Sequence, residues 1–262
     1  MVLEIGEHKY SMDGYLKSNL DIFLNEAIPN NWDGLFIIFG REGSGKTTIA
    51  AQSALYCDHS FDIDKCVFSA EQFKNKVDDV KPESAILWDE AITGANASDH
   101  ARQIQSDIIS KLTMIRKRKL KLFLCFPYLD MLRRYFVNRC LASLYVYARS
   151  FTDRGHFYFY NDNQTEKLYG LMKNKYRSIP KDALKTAKRS FYGTFTKYFP
   201  LDEKEYEKRK DEASRLSSKK GNIWKNRFIE TVQYCRDEGI VAPNAIAKKI
   251  GIDSSNLYRM IG

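Results

Sequence analysis

The residues best suited to chemistry form a glycine-rich segment, Gly40–Thr47, with the sequence GREGSGKT. It fits the pattern GxxxxGK[ST], follows the apolar run Leu35–Phe39 and precedes a helical pattern. Such glycines let backbone N–H groups face inward, and the positive end of the next helix then faces a phosphate. Lys46 can reach the β- and γ-phosphates of ATP, and Thr47 can ligate Mg²⁺. The candidate phosphate-binding residues are Gly40, Arg41, Glu42, Gly43, Ser44, Gly45, Lys46, Thr47 and Thr48.

A second candidate group lies at the end of another apolar run, Ala85–Trp88, which two carboxylates follow. We expect Asp89 to hold Mg²⁺, directly or through water, as a strand-end aspartate does beside a phosphate loop. Glu90 comes next and is placed to act as general base for an attacking water. Because ATP hydrolases that drive mechanical work commonly have this second carboxylate, the pair predicts hydrolysis.

Basic residues are concentrated between Lys111 and Lys121, in a run that leads into a predicted strand. An arginine that enters a neighbouring subunit's site can stabilise charge on the γ-phosphate. Arg116 and Arg118 are the first candidates for this catalytic role. The alternative for each of them is a solvated helix end or the lining of a DNA channel.

The elements that must position these residues alternate between strands and helices, which predicts an α/β domain with a mostly parallel sheet. We predict strands over Leu35–Phe39, Lys65–Phe68, Ala85–Trp88 and Leu120–Phe126, a hairpin of Leu144–Ala148 with His156–Tyr160, and helices over Tyr15–Ala27, Ser44–Tyr56, Arg102–Arg118 and Tyr128–Ala142. A further short helix is expected to begin at Ser69, which opens a capping-box pattern.

Composition excludes several other classes of protein. No window reaches the roughly 20 consecutive apolar residues that a membrane helix needs, so membrane insertion is not expected. The first ten residues carry Glu4, Glu7 and Lys9, which does not fit a signal peptide. The five cysteines have no CxxC spacing, and we interpret them as buried thiols of a cytoplasmic protein.

The positive charge is unevenly distributed along the chain. Of the net +9, residues 173–262 carry 21 Lys and Arg against 11 Asp and Glu, a net of +10, and the remainder is close to neutral. Such an excess suits DNA or another polyanion. We divide the chain into a nucleotide-binding domain over residues 1–200, a charged linker or helix over 201–221, and a small all-α domain over 222–262.

The end of the chain resembles the helix-turn-helix of site-specific DNA-binding proteins. Ala247 is small where two helices would cross, and Gly251 supplies the turn four residues later. Apolar faces come from Ile246, Ile250 and Leu257. The resemblance implies that the major groove or the phosphates of DNA would be contacted by Ser254, Ser255, Asn256, Tyr258 and Arg259. A helical hairpin used only for protein contacts is the alternative.

Over residues 30–160, the order of phosphate loop, ILWDE strand, helix, basic run, strand and Arg-containing helix resembles the additional-strand ATPases. Within them it is similar to the zonular occludens toxin-like and FtsK–HerA-like ATPases of viruses and mobile elements. The resemblance implies a RecA-like P-loop NTPase core, assembly into a homo-oligomeric ring, and movement of DNA.

Three functions therefore compete. The first is an ATP-driven DNA motor, such as a packaging or transfer ATPase acting in the cytoplasm, which would be the host cytoplasm for a virus. The second is a helicase loader or a replication or partition factor in which ATP switches assembly. The third is a helix-turn-helix transcription regulator controlled by ATP. The pair Asp89 and Glu90 favours turnover over switching.

Overall fold

The computed structural model describes residues 1–89, 111–172, 179–216 and 232–233 of the chain. The chain divides into two compact units, Met1–Lys210 and Asp211–Gly262. The division falls inside the predicted charged segment 201–221, and the predicted domain bounds themselves stay predictions. All the contacts described below belong to the first unit.

A seven-stranded sheet forms the centre of the first unit. Its strands are Gly34–Phe39 (β3), Cys66–Val67 (β4), Ala85–Asp89 (β5), Lys121–Phe126 (β6), Ala142–Tyr147 (β7), His156–Asn161 (β8) and Phe191–Thr194 (β9). A separate antiparallel hairpin, which the sequence did not predict, joins Val2–Ile5 (β1) to His8–Ser11 (β2). The spatial order of the main sheet is β4-β5-β6-β3-β7-β8-β9.

The five strands β4, β5, β6, β3 and β7 run parallel, and β8 and β9 extend the sheet in antiparallel pairing. The predicted mostly parallel sheet is thereby confirmed. β6 lies between the two strands that precede the candidate nucleotide residues, β3 and β5. An additional strand therefore separates them, which agrees with the predicted resemblance.

Helices cover the two faces of this sheet. Their bounds are Gly14–Ile22 (α1, continued by a π-helical turn Phe23–Ala27), Lys46–Cys57 (α2), Ala70–Asp79 (α3), 111–117 (α4), Arg134–Arg139 (α5), Asp162–Met172 (α6), Lys181–Ala187 (α7) and 203–210 (α8). In the second unit, residues 211–216 and 232–233 are helical.

Each face of the sheet carries its own apolar core, because the strands between helices are buried on both sides. Along β3, Phe36 and Ile38 point to the core that α1 and α2 complete, and Leu35, Ile37 and Phe39 point to the opposite core with α3 to α6. Such burial on both faces explains why β3 is a continuous apolar run.

The predicted helix over Tyr128–Ala142 is wrong. The chain forms a short 3₁₀ helix at Leu129–Met131 and has an extended backbone at Leu132 and Arg133. Only the short helix α5 follows. Leu129, Leu132 and Phe136 have helical spacing in the sequence. All three are buried because the segment packs on the sheet, and this burial does not require a continuous helix. Ala142 already belongs to β7, which must begin beside β3.

Cys57, Cys66, Cys125 and Cys140 are free and buried in the described part of the chain, and Cys235 lies outside it. Within the same residues, no helix is long and apolar enough to cross a membrane.

Candidate functional site

A cleft with a volume of about 610 Å³ opens at the carboxyl edge of the main sheet. Every segment that lines it from the sheet follows the end of a strand running in the same direction: residues 42–48 after β3, Asp89 at the end of β5, 151–155 after β7 and 195–197 after β9. In open α/β sheets this edge is where ligands bind. The parallel topology thus brings residues far apart in sequence into one cleft.

At two positions of the phosphate loop, neighbouring atoms lie so close that only glycine fits. Gly40 has φ +149°, and a Cβ there would lie 2.0 Å from the carbonyl oxygen of Val146 on β7. Gly45 has φ +98°, and a Cβ there would lie 2.9 Å from the ring of Phe195. Only glycine accepts both the left-handed backbone and the missing space. Neighbouring strand ends therefore shape the loop.

The loop directs donors into the cleft. Gly45 is the N-cap of α2, and since glycine has no side chain, the first N–H groups of this helix are left for a ligand. The ammonium of Lys46 donates to the carbonyl of Arg41 at 3.0 Å. Ser44 Oγ is buried, and no described atom hydrogen-bonds to it. This set of donors fits the phosphates of a nucleotide.

Thr47 and Asp89 meet at the floor of the cleft, where Oγ1 of Thr47 donates to Oδ2 of Asp89 at 3.1 Å. Asp89 is only 2 % exposed. Among the described residues no group of three or more His, Cys, Asp or Glu could hold a metal alone. Mg²⁺ is usually bound by one or two carboxylates together with phosphate oxygens. The hydroxyl and carboxylate therefore fit a Mg²⁺ that arrives with a nucleotide.

Two side chains of α8 also reach Asp89. The hydroxyl of Tyr206 donates to Oδ2 at 2.8 Å, and the ammonium of Lys210 lies 3.2 Å from the same oxygen. Burial, reinforced by the charge of Asp89, raises the pKa of Tyr206 far above its usual value, so its hydroxyl remains a donor. Burial beside Asp89 likewise keeps the pKa of Cys125 high, and that thiol stays protonated.

A second wall of the cleft carries cations that sequence reasoning missed. Arg154 lies in the loop between β7 and β8, and its Nη1 would be 3.9 Å from a Cβ on Gly43. Lys197 follows β9. The Phe195 amide donates to the carbonyl of Gly155 at 2.9 Å, which ties the two loops together. Four cations, Lys46, Arg154, Lys197 and Lys210, thus line the cleft with two acids, Glu42 and Asp89.

Gln52 anchors the same wall to α2. Its buried amide donates to the carbonyls of Thr196 at 3.0 Å and Tyr198 at 2.6 Å. The carbonyl of Gln52 in turn accepts the hydroxyl of Tyr10 at 2.8 Å. The helix that begins at the phosphate loop is therefore fixed to the segment that carries Lys197.

The candidate arginines lie elsewhere. Both terminal nitrogens of Arg118 donate to backbone carbonyls at the end of α3, those of Val77 and Val80. Arg116 is exposed, and neither of these side chains lines the cleft. Arg118 thus has a structural contact within its own chain. A catalytic role for either arginine stays a prediction about a neighbouring subunit.

Other candidates lie outside the described residues. They are the candidate base Glu90 and the candidate DNA contacts Ser254, Ser255, Asn256, Tyr258 and Arg259.

Comparison with known proteins finds a family match within the first unit of the chain. The family described as Novel STAND NTPase 3 matches residues 30–153. A structure titled as the N-terminal domain of zonular occludens toxin from Neisseria meningitidis is similar, at 16% identity over 67% of this chain and 98% of that chain, with a TM-score of 0.35. None of the curated proteins matches the chain. The family match, the loop and the strand order agree on a P-loop NTPase core.

Proposed function

We propose that this P-loop NTPase is a Mg²⁺-dependent ATP hydrolase that acts on DNA, as a translocating, packaging or transfer motor of a virus or mobile element. The observation that carries the nucleotide part of the proposal is the contact between Thr47 and Asp89 beside Lys46. A phosphate-reaching cation and a hydroxyl–carboxylate pair in one open cleft are the parts that phosphoryl transfer requires.

The chain's own residues divide the work as follows. The N–H groups at the start of α2 and the Lys46 ammonium hold the β- and γ-phosphates in place. Thr47 and Asp89 would hold Mg²⁺, which neutralises phosphate charge when bound. Glu90, the next residue after Asp89, takes a proton from the attacking water. Arg154 offers a further positive charge from the same chain.

The DNA part of the proposal rests on charge and on the C-terminal pattern. Residues 173–262 carry the net charge of +10, and a protein that neutralises phosphates with Lys and Arg gains affinity by releasing counterions. The helix-turn-helix pattern around Gly251 supplies a surface for duplex DNA. Assembly into a homo-oligomeric ring in the cytoplasm belongs to the same proposal.

A second candidate, in which ATP switches the assembly of a loader or partition factor, is favoured by one observation. α8 places Tyr206 and Lys210 on the candidate metal carboxylate, and the chain enters its second unit at the next residue, Asp211. Nucleotide binding at Asp89 can change the contacts of Tyr206 and Lys210, and such a change does not require rapid ATP hydrolysis.

The experiment that tests the proposal measures phosphate release with no DNA, with single-stranded DNA and with duplex DNA, together with the mass of the protein in solution. A motor is expected to hydrolyse ATP faster on DNA and to form a ring. Slow hydrolysis that DNA does not change, with assembly that depends on ATP, would favour the switch.

The DNA surface is tested by a point variant in the full chain. Arg259→Ala should weaken DNA binding by ~1–3 kcal/mol if it contacts a base and should lower the salt dependence if it contacts a phosphate. Lys9→Ala, which removes an exposed cation near the start of the chain, is the matched control. Equal binding by both variants would remove Arg259 from the DNA surface.

A further inference from the structure

Oδ2 of Asp89 accepts three side-chain donors at once: Thr47 at 3.1 Å, Tyr206 at 2.8 Å and Lys210 at 3.2 Å. Two of these donors come from α8, more than a hundred residues further along the chain. Of the three, only Lys210 brings a positive charge. The carboxylate that would hold a metal ion is therefore already paired with a cation of its own chain.

The position of Lys210 is fixed by the helix that carries it. Tyr206 is 2 % exposed, and its ring meets Phe68 and Phe199 edge-on at centroid distances of 5.1 and 5.2 Å. Arg209 pairs with Asp64 at 2.7 Å, in the turn before β4. α8 is thus held on the core by an apolar contact and an ion pair.

Lys210 and a directly bound Mg²⁺ would both contact the same carboxylate oxygen of Asp89. A Mg²⁺ ion held directly by Thr47 and Asp89 would take the carboxylate oxygen that faces Thr47, Oδ2, which is the oxygen that the ammonium contacts. Two cations on one buried oxygen repel each other strongly, because the interior screens charge poorly. Lysine has a long flexible stem, and Lys210 also lines the cleft, where phosphate oxygens would be available to it.

We propose that Lys210 and Mg²⁺ compete for Oδ2 of Asp89, so that binding of a metal–nucleotide complex moves the Lys210 ammonium from the carboxylate to the phosphates. The proposal rests on the proposed nucleotide function and adds to it a residue that sets the metal requirement. Tyr206 plays a different part: its neutral hydroxyl positions the carboxylate and does not oppose a metal ion by charge.

The test measures the binding of a fluorescent, non-hydrolysable ATP analogue while Mg²⁺ is titrated from zero, with an EDTA arm as the metal-free reference. The variants are Lys210→Met and Lys210→Gln, which remove the charge, and Lys210→Arg, which keeps it. Lys208→Met is the matched control, since Lys208 lies on the same helix with its side chain 66% exposed.

In Lys210→Met and Lys210→Gln, the Mg²⁺ concentration for half-saturation should fall by roughly fivefold or more relative to the wild type. Lys210→Arg and Lys208→Met should change it by less than about twofold. An unchanged or higher half-saturation in both charge-removing variants, with the analogue still bound by the wild type, would overturn the competition alone. A wild type that binds no analogue with or without Mg²⁺ would overturn the proposed function and this inference together.

Discussion

Thr47 and Asp89 are 42 residues apart in sequence, yet Oγ1 of the first donates to Oδ2 of the second at 3.1 Å. The contact follows from topology. Thr47 is the second residue of the helix after β3, and Asp89 ends β5. The carboxyl ends of parallel strands meet at one edge of the sheet. A hydroxyl and a carboxylate at this edge are what we propose that the protein contributes to a magnesium site.

The first prediction concerns this pair. Asp89→Asn should lower kcat for ATP hydrolysis by roughly 100-fold or more, because the amide is a poor metal ligand and metal binding contributes several kcal/mol to phosphoryl transfer. The measurement is phosphate release against Mg²⁺ concentration. Asp79→Asn, whose carboxylate is 77% exposed at the end of α3, is the control. Equal Mg²⁺ dependence in both variants would remove Asp89 as a metal ligand.

The second prediction separates binding from chemistry. Glu90→Gln should bind ATP as tightly as the wild type and should hydrolyse it about 10²–10⁴-fold more slowly, because the amide fills the site and cannot take a proton. Equilibrium binding and single-turnover hydrolysis measure the two quantities. Glu83→Gln, at a half-exposed position, should leave both unchanged. Hydrolysis at the wild-type rate in Glu90→Gln would assign the base elsewhere.

The third prediction decides which arginine serves the site. From the sequence, the finger is expected to be an arginine from a neighbouring subunit, but Arg154 lines the cleft from the same chain. Arg154→Ala should lower kcat by roughly 10³-fold, the effect of an arginine on the γ-phosphate. Arg116→Ala should stay close to the wild type.

Mixing two variants distinguishes an arginine that acts within its own chain from one that a neighbouring subunit supplies. Lys46→Ala protein has an intact arginine and an inactive site, so it can restore activity only to a partner that lacks an arginine supplied between subunits. Arg154→Ala mixed with Lys46→Ala should therefore stay inactive. Activity that returns on mixing Lys46→Ala with Arg116→Ala or Arg118→Ala would place the finger between subunits and support the ring.

The fourth prediction concerns stability and its pH dependence. Asp58 is the C-cap residue of α2. Its carboxylate accepts hydrogen bonds from the Ala85 amide at 2.9 Å and from Lys65 at 2.8 Å. Burial alone would raise its pKa, but the hydrogen bonds from Lys65, Ala85 and Ser60 outweigh burial and hold the pKa of Asp58 below its usual value. This carboxylate links the helix of the phosphate loop to the strand of Asp89.

Asp58→Ala should lower the free energy of unfolding by ~1–3 kcal/mol at pH 7, since a buried amide loses its acceptor. Because folding depresses the pKa, the stabilisation is complete above the unfolded value near ~3.9 and is lost as pH falls through the folded value. The difference between Asp58→Ala and wild type in urea titrations should therefore shrink below about pH 4. A difference that is constant from pH 7 to pH 3, or equal to that of Asp79→Ala, would contradict this role.

The parts of the site with strong local signals could be predicted from sequence. The loop Gly40–Thr47 and the run ending at Asp89 each carry their own pattern, and the parallel sheet then requires them to meet. Lys210 has no such signal. It lies 121 residues from Asp89 in sequence, inside a segment whose dense charge is typical of an exposed linker. The burial of Tyr206 and the ion pair of Arg209 with Asp64 bring it to the cleft.

Arg154 escaped prediction for a related reason. Its loop reads as a hairpin turn, and its place in the cleft depends on β7 running beside β3, which is a fact of topology. The wrong helix at Tyr128–Ala142 shows the converse error. Leu129, Leu132 and Phe136 follow a helical period because they all face the sheet, although the backbone between them is not helical.

The central claim is that a nucleotide binds at the phosphate loop, and calorimetric titration of MgATP into the wild type and Lys46→Ala tests it most directly. In the proposed function, Lys46 contributes the charge that contacts the β- and γ-phosphates. Lys197→Ala removes a cation from the opposite wall as a comparison. We expect saturable binding of one ATP per chain in the wild type, binding in Lys197→Ala, and a loss of at least about tenfold in affinity in Lys46→Ala, the loss that a charge-assisted hydrogen bond implies. Equal affinity of the wild type and Lys46→Ala for MgATP would contradict the account.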